Sequence, residues 1–208
     1  MALAPITILS VTPVSYITKN SSTLISTFQR LIGLWAYTMM FVQIILGSFM
    51  PRLAEKFGGW IFRFHIFQGI LVYGLIFLHP LLFVFLSYVL GRGMDPFYVF
   101  IDVCLICKKG SELYYNFGRL AFWFVTLAVA AGYFRTMNNF LRVHWKKFHI
   151  LNYLAFIFVW FHSLKLGSDI GTFPFSILHT PAAIIVLFIA IHRLHQYLNI
   201  GKLWNQGK

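Results

Sequence analysis

Two histidine pairs with nearly equal spacing lie in two apolar segments of this sequence. His65 and His79 are fourteen residues apart, and His149 and His162 are thirteen residues apart. At about 1.5 Å of rise per residue, each pair spans roughly 20 Å of helix, most of a ~30 Å hydrocarbon core. Because an unpartnered imidazole is costly in lipid, intramembrane histidines are functional candidates. Two of them at matched depths on two helices predict two stacked metal centres, most simply bis-histidine haems that pass electrons across a membrane.

The composition predicts an integral membrane protein. Of the 208 residues, 59% are hydrophobic and only 11% are charged, whereas soluble domains carry about 25% charged residues. We therefore expect one compact bundle and no second domain. The net charge of +12 does not indicate nucleic-acid binding, because the basic residues lie between and after the apolar stretches. There they fix topology and contact anionic membrane lipid, and they also suit the docking of an acidic redox partner.

Five apolar stretches are long enough to span a bilayer, namely 31–50, 64–90, 117–134, 148–164 and 173–191. Their continuous apolar character favours helices over a membrane barrel. Residues 1–29 are an N-terminal segment, interfacial in preference to a poor extra span because Pro5 and Pro13 interrupt it. Residues 30–198 form the predicted haem domain, and residues 199–208 form a short polar tail. The predicted fold is an all-α membrane bundle of five, or at most six, transmembrane helices around two stacked haems.

The distribution of lysine and arginine predicts the orientation. With the first clear span running inward, ten basic residues lie inside and seven outside, and the C-terminus is cytoplasmic. His65 and His149 then lie at an inner level, and His79 and His162 lie at an outer level. The expected location is a plasma membrane or a bacterial inner membrane.

Four glycines repeat the same fourteen-residue spacing on the first and third spans. Gly33 and Gly118 fall at the outer level, and Gly47 and Gly132 fall at the inner level. Glycine permits close approach to the backbone, so these positions are candidates to accommodate a porphyrin. Ordinary helix–helix contact is the alternative.

The two histidine spacings differ in their helical geometry. At 100° per residue, fourteen residues return to within about 40° of the same face, whereas thirteen leave two side chains about 140° apart. His149 and His162 therefore require a kink, a tightened turn or a strong crossing if both are to face the same partner helix.

Several motifs resemble the ferric reductase-like transmembrane family, which includes NADPH oxidases, ferric-chelate reductases and the haem subunit of the bacterial methionine sulfoxide reductase system. The stretch 142–149, Arg-Val-His-Trp-Lys-Lys-Phe-His, continuing to His162, is similar to the fifth helix of that family. Phe64-His65, Gly69 and Leu78-His79 resemble its third helix, and residues 116–121 resemble the start of its fourth. The fourteen-and-thirteen spacing is also the family's pattern, and the resemblance covers residues 30–198.

The resemblance implies two b-type haems, each with six-coordinate iron. His65 and His149 would be the metal ligands of the inner haem, and His79 and His162 those of the outer haem. Arg30 matches a basic position near the outer haem and its acceptor. By position, Arg63 and Lys146 are candidates for the inner haem propionates, with interfacial anchoring as the alternative.

The electron donor and acceptor stay open at this stage. No stretch resembles a dinucleotide-binding fingerprint, so FAD and NAD(P)H would act only through a separate flavin reductase or a missing domain, and a quinol is the other donor. Acceptors on the outer side include a ferric chelate, oxygen or a periplasmic protein. Phe83 stands where the oxidases carry a further histidine, which argues against a superoxide-forming site.

Two other function classes are compatible with the sequence. One is a quinol-oxidising cytochrome b-like subunit, and the other is a non-redox membrane transporter or scaffold. Cys104 and Cys107 form a C-x-x-C pair that would be a disulfide, a redox-active pair or two free thiols. His179 is expected to serve helix-end packing, with proton relay as the alternative.

Overall fold

The structure is a computed structural model that describes residues 2–104, 106–107 and 110–206, with side chains described up to residue 196. Helix is the only regular secondary structure in those residues. The helices are α1 (Leu3–Val11), α2 (Val14–Ile17), α3 (Ser21–Ser48), α4 (Met50–Phe57), α5 (Trp60–Val89), α6 (Pro96–Phe100), α7 (Gly110–Phe134), α8 (Asn139–His149), α9 (Leu151–Leu166) and α10 (Phe175–Gln206).

Five helical units are long and apolar enough to cross a membrane. They are α3, α5, α7, the consecutive helices α8 and α9, and the first 22 residues of α10. This confirms the predicted all-helical bundle with five candidate spans and indicates an integral membrane protein. Helix α1 has nine residues, about 14 Å of helix, which is too short to span.

The bundle core forms between paired spans. Helix α3 packs along α5, α7 packs along α9, and α10 lies against α9 and α3. Aromatic rings fill the centre, where the Tyr37 and Phe156 ring centroids are 4.7 Å apart. Phe156, Phe175 and Val186 are fully buried. The outward faces keep many large apolar side chains exposed, as expected of helices that face lipid.

The ends of two helices differ from the predicted segment boundaries. Helix α3 begins at Ser21, because the Asn20 side chain accepts a hydrogen bond from the Thr23 N–H and so caps the helix. The first nine residues of α3 therefore fall in the segment 1–29. Helix α1 packs against α3 and α10, and the Phe175 N–H donates to Thr7 Oγ1 over 3.2 Å. At the other end of the chain, α10 continues to Gln206.

A tightened turn separates α8 from α9, between the two histidines whose spacing is thirteen. Ile150 has φ −61° and ψ −26°, and the Tyr153 N–H donates to the Ile150 carbonyl three residues back over 3.0 Å. Such a turn advances about 120° per residue, so three residues reduce the offset of about 140° to about 80°. The break is the local device that brings His149 and His162 towards a common side.

Candidate functional site

His79 on α5 and His162 on α9 face each other across the bundle. Their ring centroids are 6.4 Å apart and their planes are inclined by 84°. A metal–imidazole bond is about 2.0 Å and a ring nitrogen lies about 1.15 Å from its centroid, so two imidazoles on opposite sides of one metal ion have centroids about 6.3 Å apart. The separation of these rings therefore suits a shared axial metal.

Backbone carbonyls fix the protonation of both rings. His79 Nδ1 lies 3.0 Å from the Gln29 carbonyl oxygen, and His162 Nδ1 lies 2.9 Å from the Tyr114 carbonyl oxygen. Because a carbonyl only accepts, each Nδ1 carries the hydrogen, and each neutral ring keeps its Nε2 lone pair. A hydrogen bond from the second ring nitrogen to a carbonyl is the usual outer-sphere partner of a metal-ligating histidine.

Glycines create the space that these two rings occupy. A Cβ at Gly33 would lie 2.9 Å from His79 Cε1, and a Cβ at Gly118 would lie 2.7 Å from His162 Nδ1. Each glycine is four residues after the carbonyl that accepts the ring's hydrogen bond. Each imidazole thus lies in a notch on the facing helix. The glycine leaves space for the ring, and the carbonyl one turn earlier accepts its hydrogen bond.

His65 on α5 and His149 at the end of α8 form the second pair. Their ring centroids are 6.3 Å apart and their planes are inclined by 65°. Fourteen residues separate His65 from His79, which places the pairs about 21 Å apart along α5. A Cβ at Gly47 would lie 3.2 Å from His65 Cε1, so this ring also lies against a glycine.

The side-chain amides of Gln43 and Asn152 lie beside the second pair. The Gln43 amide donates to the His65 carbonyl over 2.8 Å, and its nitrogen lies 3.4 Å from His65 Nε2. The nitrogen of the Asn152 amide lies 3.5 Å from His149 Nδ1. His65 Nδ1 is buried without a hydrogen-bond partner in the described part of the chain. A buried polar atom of this kind is costly unless a further group satisfies it.

Gly132 differs from the other three glycines. A Cβ there would meet nothing within 4 Å, although His149 interacts with the backbone of Ala128, four residues earlier. The sequence made all four glycines candidates to accommodate a porphyrin, with ordinary helix–helix contact as the alternative. In the structure, the groups nearest Gly33, Gly47 and Gly118 are imidazoles.

A cavity of ≈ 310 Å³ adjoins the His79–His162 pair, within the ~300–1,000 Å³ range of ligand pockets. Besides the two histidines, its lining includes Arg30, Tyr37, Met40, Tyr115, Arg119 and Ser163. The wall is mainly apolar with a few converging polar groups, which is the usual character of a cofactor site.

Arg30, which the family resemblance implied near an outer haem, lines this cavity, but its charge is already paired with Asp169. Its Nε donates to Asp169 Oδ2 over 2.8 Å, its Nη2 donates to Asp169 Oδ1, and its Nη1 donates to Thr12 Oγ1 over 3.2 Å. The Asp169 side chain is 4% exposed. Arg30 therefore joins α1, α3 and the segment before α10 at this end of the bundle.

The two basic residues proposed for the inner level are exposed. Arg63 lies two residues before His65, and the Lys146 ammonium lies 6.0 Å from the Trp145 ring. Arg135, which the sequence did not single out, is a basic residue close enough to His149 to interact with it electrostatically. Its guanidinium lies 4.8 Å from the centre of the Trp145 ring.

Arg119 is the other residue that the sequence argument missed as a site residue. It is 3% exposed, and its Nη2 is buried with no hydrogen-bond partner among the described residues, because the nearest Glu112 oxygen is 3.9 Å away. A guanidinium hydrogen left free beside a cavity suits a carboxylate ligand. The sequence feature that could have identified Arg119 is its position next to Gly118 inside an apolar run, where an arginine is unusual.

His179 serves a structural contact beside the cavity. Its Nε2 lies 2.6 Å from Ser163 Oγ, and the Tyr37 hydroxyl donates to its carbonyl. These bonds join α10 to α9 and α3, in keeping with the expected packing role.

The residues present fit a haem iron at each pair. The two imidazoles of each pair, with centroids 6.3 or 6.4 Å apart, would supply two ligands to one iron. Across the described residues, no three or more histidine, cysteine, aspartate or glutamate side chains converge, so a metal held only by protein side chains would have two ligands per site. Comparison of the chain with protein-family models, with curated proteins and with solved structures gave no match in any of the three.

Proposed function

We propose that this chain carries electrons across a membrane through two b-type haems, one at each histidine pair. The observation that supports this most directly is the repetition of one geometry. Two imidazole pairs, with centroids 6.3 and 6.4 Å apart, occur on the same two membrane-spanning units. Ordinary ring contacts also fall within about 4.5–7 Å, but a plain ring contact does not need the carbonyl hydrogen bonds that leave the Nε2 lone pairs of His79 and His162 available to a metal.

The protein residues would position and tune the cofactor. His65 and His149 would hold one iron, and His79 and His162 the other, while the Gln29 and Tyr114 carbonyls keep two of the rings in the ligating tautomer. Haem bound in this way supplies one-electron iron chemistry. A haem held by two histidine ligands would favour electron transfer over direct oxygen binding.

Arg119 Nη2 is available to a haem propionate at the cavity. Arg135 would supply a positive charge at the His65–His149 pair. Arg63 and Lys146, which are exposed, would act at the membrane interface. The proposal thus assigns one charged residue to each haem, and Arg30 a structural role through Asp169.

The direction of transfer follows the positive-inside orientation. Electrons would enter at the His65–His149 pair from a separate flavin reductase, which would use FAD and NAD(P)H, or from a quinol. They would leave at the His79–His162 pair to a ferric chelate, to oxygen or to a periplasmic protein. The ferric reductase-like transmembrane family is the proposed relative, on the motifs at His65, His79, His149 and His162.

The test is the haem content of the full chain purified in detergent after expression with added haem. We expect two b-type haems per chain with low-spin six-coordinate spectra. His79→Ala and His162→Ala should each lose one haem, and the double variant should lose no more than either single variant. His144→Ala, on α8 and outside both pairs, is the matched control and should keep two.

The outcomes separate the function classes. Absence of haem, or two haems in all of the histidine variants, would overturn the proposal and favour a non-redox transporter or scaffold. Two haems that are reduced by a quinol and not by flavin reductases would instead identify the cytochrome b-like function.

A further inference from the structure

The C-x-x-C motif lies against the same end of the bundle as the His79–His162 pair. Cys104 and Cys107 are joined by a disulfide in the connection between α6 and α7. One buried side chain, Asn116 on α7, holds this disulfide. Its amide nitrogen lies 3.2 Å from Cys104 Sγ and 3.5 Å from Cys107 Sγ, and it also donates to the Cys104 carbonyl over 2.6 Å.

A continuous series of contacts leads from the disulfide to the histidine. Arg119 Nη1 donates to Asn116 Oδ1 over 2.9 Å. The Arg119 guanidinium lies 6.0 Å from the centre of the Tyr115 ring, and that ring centroid is 6.4 Å from the His162 ring centroid. Asn116 is two residues from Gly118, the glycine against which His162 lies. The disulfide is therefore a near neighbour of the outer site.

The same disulfide is accessible from outside the bundle. Ile106, between the two cysteines, is 93% exposed, and both cysteines are partly exposed. A disulfide buried in the bundle would lack a path to a second thiol or disulfide, because exchange requires direct approach to a sulfur atom. This disulfide has the His79–His162 pair on one side and open surface on the other.

We propose that Cys104–Cys107 is a redox-active disulfide that accepts the electrons arriving at the His79–His162 pair and passes them to an external disulfide. The proposal rests on the electron-transfer function proposed above. In the first step, two electrons, delivered one at a time, and two protons from the outer solvent break the S–S bond and yield two thiols.

In the second step, one of these thiols, as its thiolate, attacks a disulfide of a protein or small molecule. A mixed disulfide forms, and the first thiol of the substrate leaves. The second cysteine then displaces the other substrate thiol, which restores the Cys104–Cys107 bond. The net result is one substrate disulfide reduced to two thiols for two electrons and two protons.

Asn116 and Arg119 suit this chemistry electrostatically. The Asn116 amide donates towards both sulfur atoms, and the Arg119 positive charge lies directly behind that amide. Both would stabilise the negative charge that develops on sulfur as the bond breaks, since neighbouring cations and hydrogen-bond donors favour a thiolate.

The deciding experiment is an anaerobic dithionite titration of the purified full chain containing haem, with electrons counted and thiols trapped by a polyethylene glycol maleimide. We expect four electrons per chain, two seen in the haem spectrum and two more with two labelled thiols. The double variant Cys104→Ser, Cys107→Ser should keep both haem bands and take up two electrons.

His162→Ala tests whether electrons reach the disulfide through the His79–His162 pair. It should lose one haem and leave Cys104 and Cys107 unlabelled at the same dithionite dose, whereas equal labelling would mean that dithionite reduces the disulfide directly and would overturn the proposed path. Two electrons per chain with normal haem bands would overturn the disulfide proposal alone. Absence of haem bands would overturn the proposed function, and this proposal with it.

Discussion

Gly118→Ala tests whether the spaced glycines make room for imidazoles. The new Cβ would lie 2.7 Å from His162 Nδ1, and the ring would have to move by about 0.7 Å to reach an ordinary contact of 3.4 Å. Movement of the ring strains or breaks the 2.9 Å hydrogen bond between His162 Nδ1 and the Tyr114 carbonyl. The substitution therefore disturbs both the position and the tautomer of one ligand.

Three effects set the free-energy cost of Gly118→Ala. Overpacking costs about 1–3 kcal/mol, a lost hydrogen bond costs about 1 kcal/mol, and alanine gains about 1 kcal/mol of helix propensity over glycine. The net loss is on the order of 1–3 kcal/mol, equivalent to about 5–150-fold weaker haem retention at this pair. Gly132→Ala meets nothing within 4 Å, so it should be neutral or stabilise the helix by about 1 kcal/mol.

The assay is haem content and melting temperature of both variants in one detergent. Gly74→Ala, on α5 with open space around its Cβ, is the control for the substitution itself. Loss of one haem is expected for Gly118→Ala and for neither of the others. Equal haem loss in Gly118→Ala and Gly132→Ala would refute the imidazole notch and favour porphyrin clearance at both positions.

Two further predictions concern Asp169 and Tyr98, polar residues outside the histidine pairs. Asp169→Asn removes the charge that pairs with Arg30 and should lower the free energy of unfolding by on the order of 3 kcal/mol, seen as a lower melting temperature. Asp102→Asn, at an exposed position, is the control and should change the melting temperature little. An unchanged melting temperature for Asp169→Asn would mean that the pair is not stabilising. Burial and the hydrogen bond to Glu112 raise the pKa of Tyr98 from 10.0 to about 12. The folded state then keeps a proton that the unfolded state releases, so stability should fall from pH 10 to 12 and not below, and Tyr98→Phe should show a smaller fall in melting temperature over that range.

Local sequence patterns predicted the helical bundle and its five candidate spans well. An apolar run long enough to span a bilayer can satisfy its backbone only as a helix, and this constraint does not depend on neighbouring elements. The predicted span 64–90 accordingly lies close to α5, Trp60–Val89. The prediction was less accurate where polar residues continue a helix, as at Ser21 in α3 and Gly110 in α7.

The neighbours of each histidine were decided by the tertiary structure alone. Helical periodicity gives the face of a residue but not the helix that packs against it, so the bonds from His79 to Gln29 and from His162 to Tyr114 have no sequence signal. The histidine spacing predicted that a kink, a tightened turn or a strong crossing was needed, but it did not predict that a turn occurs at Ile150. The contact of Asn116 with the Cys104–Cys107 disulfide likewise depends on how a connecting segment folds back onto α7.

The sequence by itself therefore determined a helical chain with five segments long and apolar enough to cross a membrane, two of which carry two histidines each, because hydropathy and helix formation act locally along each segment. Only the tertiary structure decided which rings face each other, which glycines admit them and which acidic side chains lie beside Arg30 and Arg119. Those features arise from contacts between residues far apart in the chain, which exist only once the helices have packed.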